Sequence, residues 1–161
     1  LHVRKKIKFD KYLVLGLLIL DESNNYEYFC HKYKILNNIK NRFKNISKNF
    51  TNLKNKKFFL EENIKKLIYL SNKDYVKDLL LFSLCTNNKI KNSIIEKLFD
   101  YVNTCEIPKF PISGEYLKQH GYESGKKLGE KLKLLEEKWI NNNFIIEKDA
   151  VEKSLGKVNK N

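Results

Sequence analysis

Methionine is absent from this chain of 161 residues, which begins at Leu1. Either translation starts at a non-standard codon or the sequence is a piece of a longer reading frame. Arginine is nearly absent too: Arg4 and Arg42 stand against 30 lysines and 20 asparagines. That imbalance marks AT-rich coding sequence, which loads lysine onto exposed surfaces. The net charge of +13 therefore does not by itself name an anionic partner. The three cysteines, Cys30, Cys85 and Cys105, show no Cys-x-x-Cys or cysteine–histidine spacing. This argues against a disulfide framework and a zinc site, and reads as buried free thiols in a reducing cytosol.

Long apolar runs are missing as well. The longest, residues 12–20, spans nine residues including Gly16 and reads as a buried helix; a membrane span needs roughly 20. Basic residues 4–8 precede it, but no small-residue cleavage site follows, so a signal peptide is not expected. Sequence signs of catalysis are equally sparse. His2, His31 and His120 lie far apart, and no phosphate-binding Gly-x-x-x-x-Gly-Lys-Ser/Thr occurs. Asp74 and Asp78 are one helical turn apart, but they alternate with Lys73 and Lys77 in the pattern of a solvated helix face. No catalytic residue and no metal site is expected.

What is present is helical and basic. Apolar residues make up 42% of the chain, with 10 Phe and 9 Tyr, enough to drive folding. Residues 32–57 hold nine basic side chains and no acidic one. Compositional drift adds lysine but does not remove acids, so this stretch points to nucleic acid. Residues 1–107 carry 21 basic and 11 acidic side chains, against 11 and 8 beyond.

Apolar positions follow helical spacing: Ile64, Leu67, Ile68; then Val76, Leu79, Leu80 with Ser83; then Ile90, Ile94, Leu98, Val102, widened by Ile95 and Phe99. Ser71-Asn-Lys-Asp74 is a polar break with good capping residues. Both prolines, Pro108 and Pro111, fall in 107–112, which reads as an extended connector. The expected fold is all-α: a body of five or six helices over 1–106, the connector 107–112, and a smaller helical tail over 113–161.

In the tail, Ser113 can cap a brief helix stopped at Gly121. Ser124 can cap a longer one with Leu128, Leu132, Leu135 and Trp139 on one face, ended by Asn141-Asn-Asn143. A last short helix is expected over 147–155. Lys126 and Lys127 fall in the first turn after Gly125, where the helix dipole disfavours cations. Two lysines there suit a bound phosphate, with open N–H groups, dipole and ammonium groups all directed at it. A plain loop–helix joint with lysines from compositional bias fits the spacing too.

One stretch carries a resemblance. Pro111-Ile-Ser-Gly-Glu-Tyr-Leu117, Gly121, Gly125-Lys-Lys-Leu-Gly129 and the close Trp139-Ile-Asn-Asn-Asn-Phe144 resemble the C-terminal tail of CCA tRNA nucleotidyltransferases and the related bacterial poly(A) polymerase-like enzymes. Lys65-Lys-Leu-Ile-Tyr-Leu-Ser-Asn-Lys-Asp74 and Lys77-Asp-Leu-Leu-Leu81 look like that family's body helices, and residues 31–40 resemble the segment before them. The likeness spans nearly the whole chain and is specific in its last third. Members are built as head, neck, body and tail. The resemblance implies that magnesium, CTP and ATP belong to the head and neck, whose Asp-x-Asp and Arg/Asp signatures do not occur here, and that no cofactor binds this chain.

What remains resembles body and tail, which hold tRNA by shape and charge. The expected function is a tRNA-binding part of a CCA-adding enzyme, inactive alone and partnered by tRNA and a separate head-and-neck chain. A free-standing basic helical module binding nucleic acid or protein is the alternative. The candidate RNA contacts are Lys40, Arg42 and Lys44 in the acid-free stretch, and Lys118, Gly125, Lys126, Lys127 and Lys131 in the tail.

Overall fold

The protein is described by a computed structural model over residues 10–87, 90–146 and 151. Those residues form eight α-helices and two short 3-10 turns, with no strand among them. The chain is all-α. It divides into two compact units, residues 1–107 and 108–161. Basic residues 4–8 and the helix expected over 147–155, Val151 apart, lie outside the described residues.

The first unit holds α1 (Lys11–Ile19), α2 (Asn25–Lys32), α3 (Asn37–Lys48), α4 (Glu61–Leu70), α5 (Lys73–Thr86) and α6 (Asn92–Thr104), with 3-10 turns at Asn52–Lys54 and Lys56–Phe59. Its centre is α5, which packs against α1, α3, α4 and α6. Six of its residues are buried, from Val76 to Ser83, including four bulky side chains in the unbroken run Leu79-Leu-Leu-Phe82. A helix apolar on more than one side is stable only when surrounded. Asn72, in the predicted break, starts it by accepting the N–H of Tyr75 at 2.8 Å. Asp10 caps α1 the same way, accepting from Tyr12 and Leu13 at 2.9 Å each. Where α1 crosses α3, a Cβ at Gly16 would stand 3.2 Å from the Phe43 ring, so glycine allows the close approach.

Two sequence expectations for this unit are corrected. Residues 12–20 are not uniformly buried: Leu13, Gly16 and Leu20 face the core, while Leu18 is 81% exposed. In α6, Ile94 is exposed and the buried stripe is Ile95, Leu98 and Val102, with Ile90 buried ahead of the helix. Four-residue steps overshoot a 3.6-residue turn by about 40° each, so a stripe read at that spacing drifts off the core face.

The second unit is built on α7 (Gly114–Gln119) and α8 (Lys126–Asn141). Ser113 caps α7, its hydroxyl accepting the N–H of Tyr116 at 3.1 Å. Leu117, Leu135 and Val151 are buried together, with Phe110, Ile112, Tyr122, Leu128 and Leu132 packed around them. Trp139 is 3% exposed and lies 5.3 Å from the Phe110 ring and 4.9 Å from Phe144. Ser124 does not cap α8. The cap position is Gly125, at φ 141°, and no side chain accepts from the first turn.

Three helices end in the same hydrogen-bond pattern, with a left-handed residue just past the cap. After α7 that residue is Gly121 (φ 89°), and Tyr122 N–H reaches Leu117 C=O at 3.1 Å. After α8 it is Asn143 (φ 53°), and Phe144 N–H reaches Trp139 C=O at 2.8 Å. After α2 it is Lys34 (φ 50°), and Ile35 N–H reaches Cys30 C=O at 2.9 Å. This pattern satisfies the last carbonyls and brings apolar residues five apart into contact. The Trp139…Phe144 spacing noted in the sequence is thus a helix-ending device, with the two rings closing over the α8 terminus.

Candidate nucleic-acid interface

In the second unit the candidate residues gather around the α7–α8 corner. Lys126 and Lys127 are exposed in the first turn of α8, which contains no acidic residue. With glycine at the cap position that turn has no capping side chain, and nothing lies within 4 Å of where a Cβ would stand at Gly125 or Gly129. These two glycines lie one turn apart on α8, so an approaching backbone meets little steric bulk there. The lysines are not wholly free: Lys126 is 3.8 Å from Glu130, and on α7 Lys118 is 3.6 Å from Glu115. Both pairs are exposed, and contacts of this kind yield readily to a stronger anion. Lys131 is half-buried. The corner presents the first-turn N–H groups of α8, without a capping side chain, beside the exposed Lys126 and Lys127.

In the first unit, α3 buries Ile39, Phe43 and Ile46 and turns Asn37, Asn41, Lys44 and Lys48 outward. Lys40 is half-buried near Cys30. Burial pushes the Cys30 thiol up, partly offset by the Lys40 ammonium.

Folding supplies carboxylates to two cations of the acid-free stretch. Lys54 pairs with Glu22. Arg42 donates from Nε and Nη2 to the two oxygens of Asp78 at 2.7 and 2.8 Å, and from Nη2 to Asp10 at 2.6 Å. Asp78 is only 14% exposed, so the forked pair is partly desolvated. The bond to Asp78 leads in raising the Arg42 pKa well above its ordinary value. Burial pushes the Asp10 carboxyl up, but the Arg42 hydrogen bond and the N–H groups of Leu13 and Tyr12 outweigh it and hold the group below its usual range. One guanidinium therefore joins the start of α1 to α3 and α5, at the wall of an open cleft of 660 Å³ also lined by Asn45, Tyr75, Lys77 and Phe99. The sequence reading placed Arg42 among RNA contacts and missed this internal engagement, because nothing in the spacing of Asp10, Arg42 and Asp78 announces it. Asp74, by contrast, is 96% exposed beside Lys77.

Sequence comparison is consistent with the tRNA-processing resemblance over a limited stretch. Over 59 residues the chain is 37% identical to CCA tRNA nucleotidyltransferase 1, mitochondrial, of Danio rerio. The stretch is 37% of this chain, which thereby spans 14% of that relative. No family profile matches the chain, and no solved structure does. Among the described residues no group of three or more His, Cys, Asp or Glu side chains is placed to hold a metal ion. No described helix is long and apolar enough to cross a membrane.

Proposed function

We propose that these 161 residues are the tRNA-holding body and tail of a CCA tRNA nucleotidyltransferase, acting with a head and neck that supply the chemistry. The observation that carries the reading is the 37% identity to such an enzyme over 59 residues. It is supported by the open, lysine-bearing start of α8 and by the acid-free outer face of α3. On this reading tRNA lies against Lys44 in the first unit and against Lys118, Gly125, Lys126, Lys127 and Lys131 in the second. Lys40 and Arg42 take their place at the rim, Arg42 ordering the helices beneath. Magnesium, CTP and ATP bind the head and neck. Cys30 and Cys105 are buried as expected, whereas Cys85 is exposed; thiols at all three suit a reducing compartment, and we assign the chain to the cytoplasm.

The chemistry of two-metal phosphoryl transfer requires carboxylates at the metals, and the sequence has no Asp-x-Asp. Incubated alone with magnesium, CTP, ATP and a tRNA lacking its CCA end, the chain is expected to bind the tRNA and add nothing. Binding should weaken with salt by about 0.7 to 0.9 in log affinity per log salt for each phosphate contact. Labelling of the tRNA 3′ end by the pure chain would refute the division of labour. Absence of salt-dependent tRNA binding would leave only a helical protein of basic composition.

A further inference from the structure

Among the described residues of the first unit, the most exposed aromatic side chains lie on and just beyond α2. Tyr28 is 69% exposed and Tyr33 57%, with Leu36 beyond them at 65%. Tyrosines normally bury their rings and wet only the hydroxyl; these two residues lie largely in solvent. Lys32 lies between them, its Nζ 5.8 Å from the Tyr28 ring and 5.7 Å from the Tyr33 ring. Phe29 braces Tyr33 from within at 4.6 Å. His31 is exposed three residues after Tyr28, on the same side of the helix as that tyrosine. The backbone then turns through Lys34, a lysine held at φ 50° where glycine is the easy choice. That conformation leaves a second lysine exposed at the corner. The one acid of α2, Glu27, accepts from the Tyr26 hydroxyl at 3.2 Å. From Lys32 onward no acid appears in the sequence until Glu61.

Exposed rings interleaved with cations are what unpaired nucleotides need. Every base has a face that stacks on an aromatic ring, while the phosphates beside it want positive charge. Duplex RNA offers no such faces, because its bases are already stacked on one another. We propose that Tyr28 and Tyr33, with Lys32 between them, form a stacking platform for unpaired bases of an RNA strand whose phosphates run along Lys32, Lys34 and the outer face of α3. The proposal rests on the RNA-holding reading and deepens it: this surface takes single-stranded or looped RNA, not helical stems. The ammonium of Lys32 moves from the rings to a phosphate when a base arrives, so the platform is not blocked by the cation–π contacts now seen.

The test uses the full chain and a short single-stranded RNA carrying 2-aminopurine, alongside the same strand annealed to its complement. The single strand is expected to bind more tightly, with the 2-aminopurine emission quenched by stacking. Tyr28→Ala with Tyr33→Ala is expected to lower single-strand affinity by about tenfold or more and abolish the quench, leaving duplex affinity and its salt slope in place. Tyr28→Phe with Tyr33→Phe retains the rings and should retain both signals, which separates stacking from loss of the fold. Unchanged single-strand affinity in the alanine variant, or a duplex preferred by the wild type, overturns the platform while leaving salt-dependent tRNA binding as it stands. Single strands bound through the tyrosines with no added affinity for tRNA would instead keep the platform and remove the tRNA-holding reading. If no RNA binds and the alanine variant converts a self-associated chain to monomer, the face is a protein contact and the proposal fails.

Discussion

Lys126 and Lys127 sit where a helix prefers carboxylates. Reversing both to glutamate should suit the α8 dipole by some tenths of a kcal/mol each, but one gain is trimmed because Glu130 lies a turn ahead of position 126. We expect the melting temperature of Lys126→Glu/Lys127→Glu to stay level or rise slightly while tRNA affinity drops. A lower melting temperature with unchanged affinity would make these lysines structural. Asp10 offers a second test, by pH. Its carboxyl titrates below the usual range in the folded chain, so its stabilising effect is complete above the unfolded value near ~3.9 and disappears as pH falls through the folded one. Asp10→Asn keeps a side chain able to cap α1 but removes the charge facing Arg42. The variant should melt earlier than wild type at neutral pH, and the gap should narrow as pH falls below the unfolded value. A gap independent of pH would show that the Asp10–Arg42 pair contributes nothing through its charge.

At the scale of elements, the three helix ends built alike contain a built-in comparison. Gly121 and Asn143 are residue types that tolerate a left-handed backbone, and Lys34 is not. Lys34→Gly should therefore stabilise the first unit by about 0.5–1 kcal/mol, read as a shifted urea midpoint at constant slope. A destabilised variant would mean that the lysine side chain makes a contact worth more than its backbone strain. Helix ends also mark what a sequence discloses. Asn72 and Ser113 were legible as caps, because a short polar side chain before an apolar stripe has one good use. Gly121 was legible as a stop because glycine takes a left-handed backbone at little steric cost. The α2 ending was not, since lysine carries no conformational signal. Neither was the cap of α8: Ser124 and Gly125 are both acceptable there, and the choice rests on a positive φ visible only in coordinates. The core stripes of α4 and α5 followed from periodicity, whereas Ile94 and Leu18 did not, because periodicity gives a face but not its width. For the candidate interface the charge run was readable, and the pairing of Arg42 with Asp78, 36 residues away, was not. Ring exposure at Tyr28 and Tyr33 was likewise hidden, since an aromatic in a helix reads first as core.

For the molecule as a whole, the division at residues 107 and 108 has a practical result. The chain has a single tryptophan, and Trp139 is buried wholly within the second unit, against Phe110 and Phe144. Its emission is thus a reporter for that unit alone, whereas far-UV ellipticity averages over all eight described helices. Among the described residues the second unit has the smaller set of buried side chains, and small cores are the more marginal. The emission should redden at a lower urea concentration than the ellipticity falls. Coincident curves would mean the two units unfold as one. The same lone indole needs no dye or label to register RNA at the α7–α8 corner, so a ligand that steadies the tail will delay the red shift and leave the ellipticity curve nearly where it was.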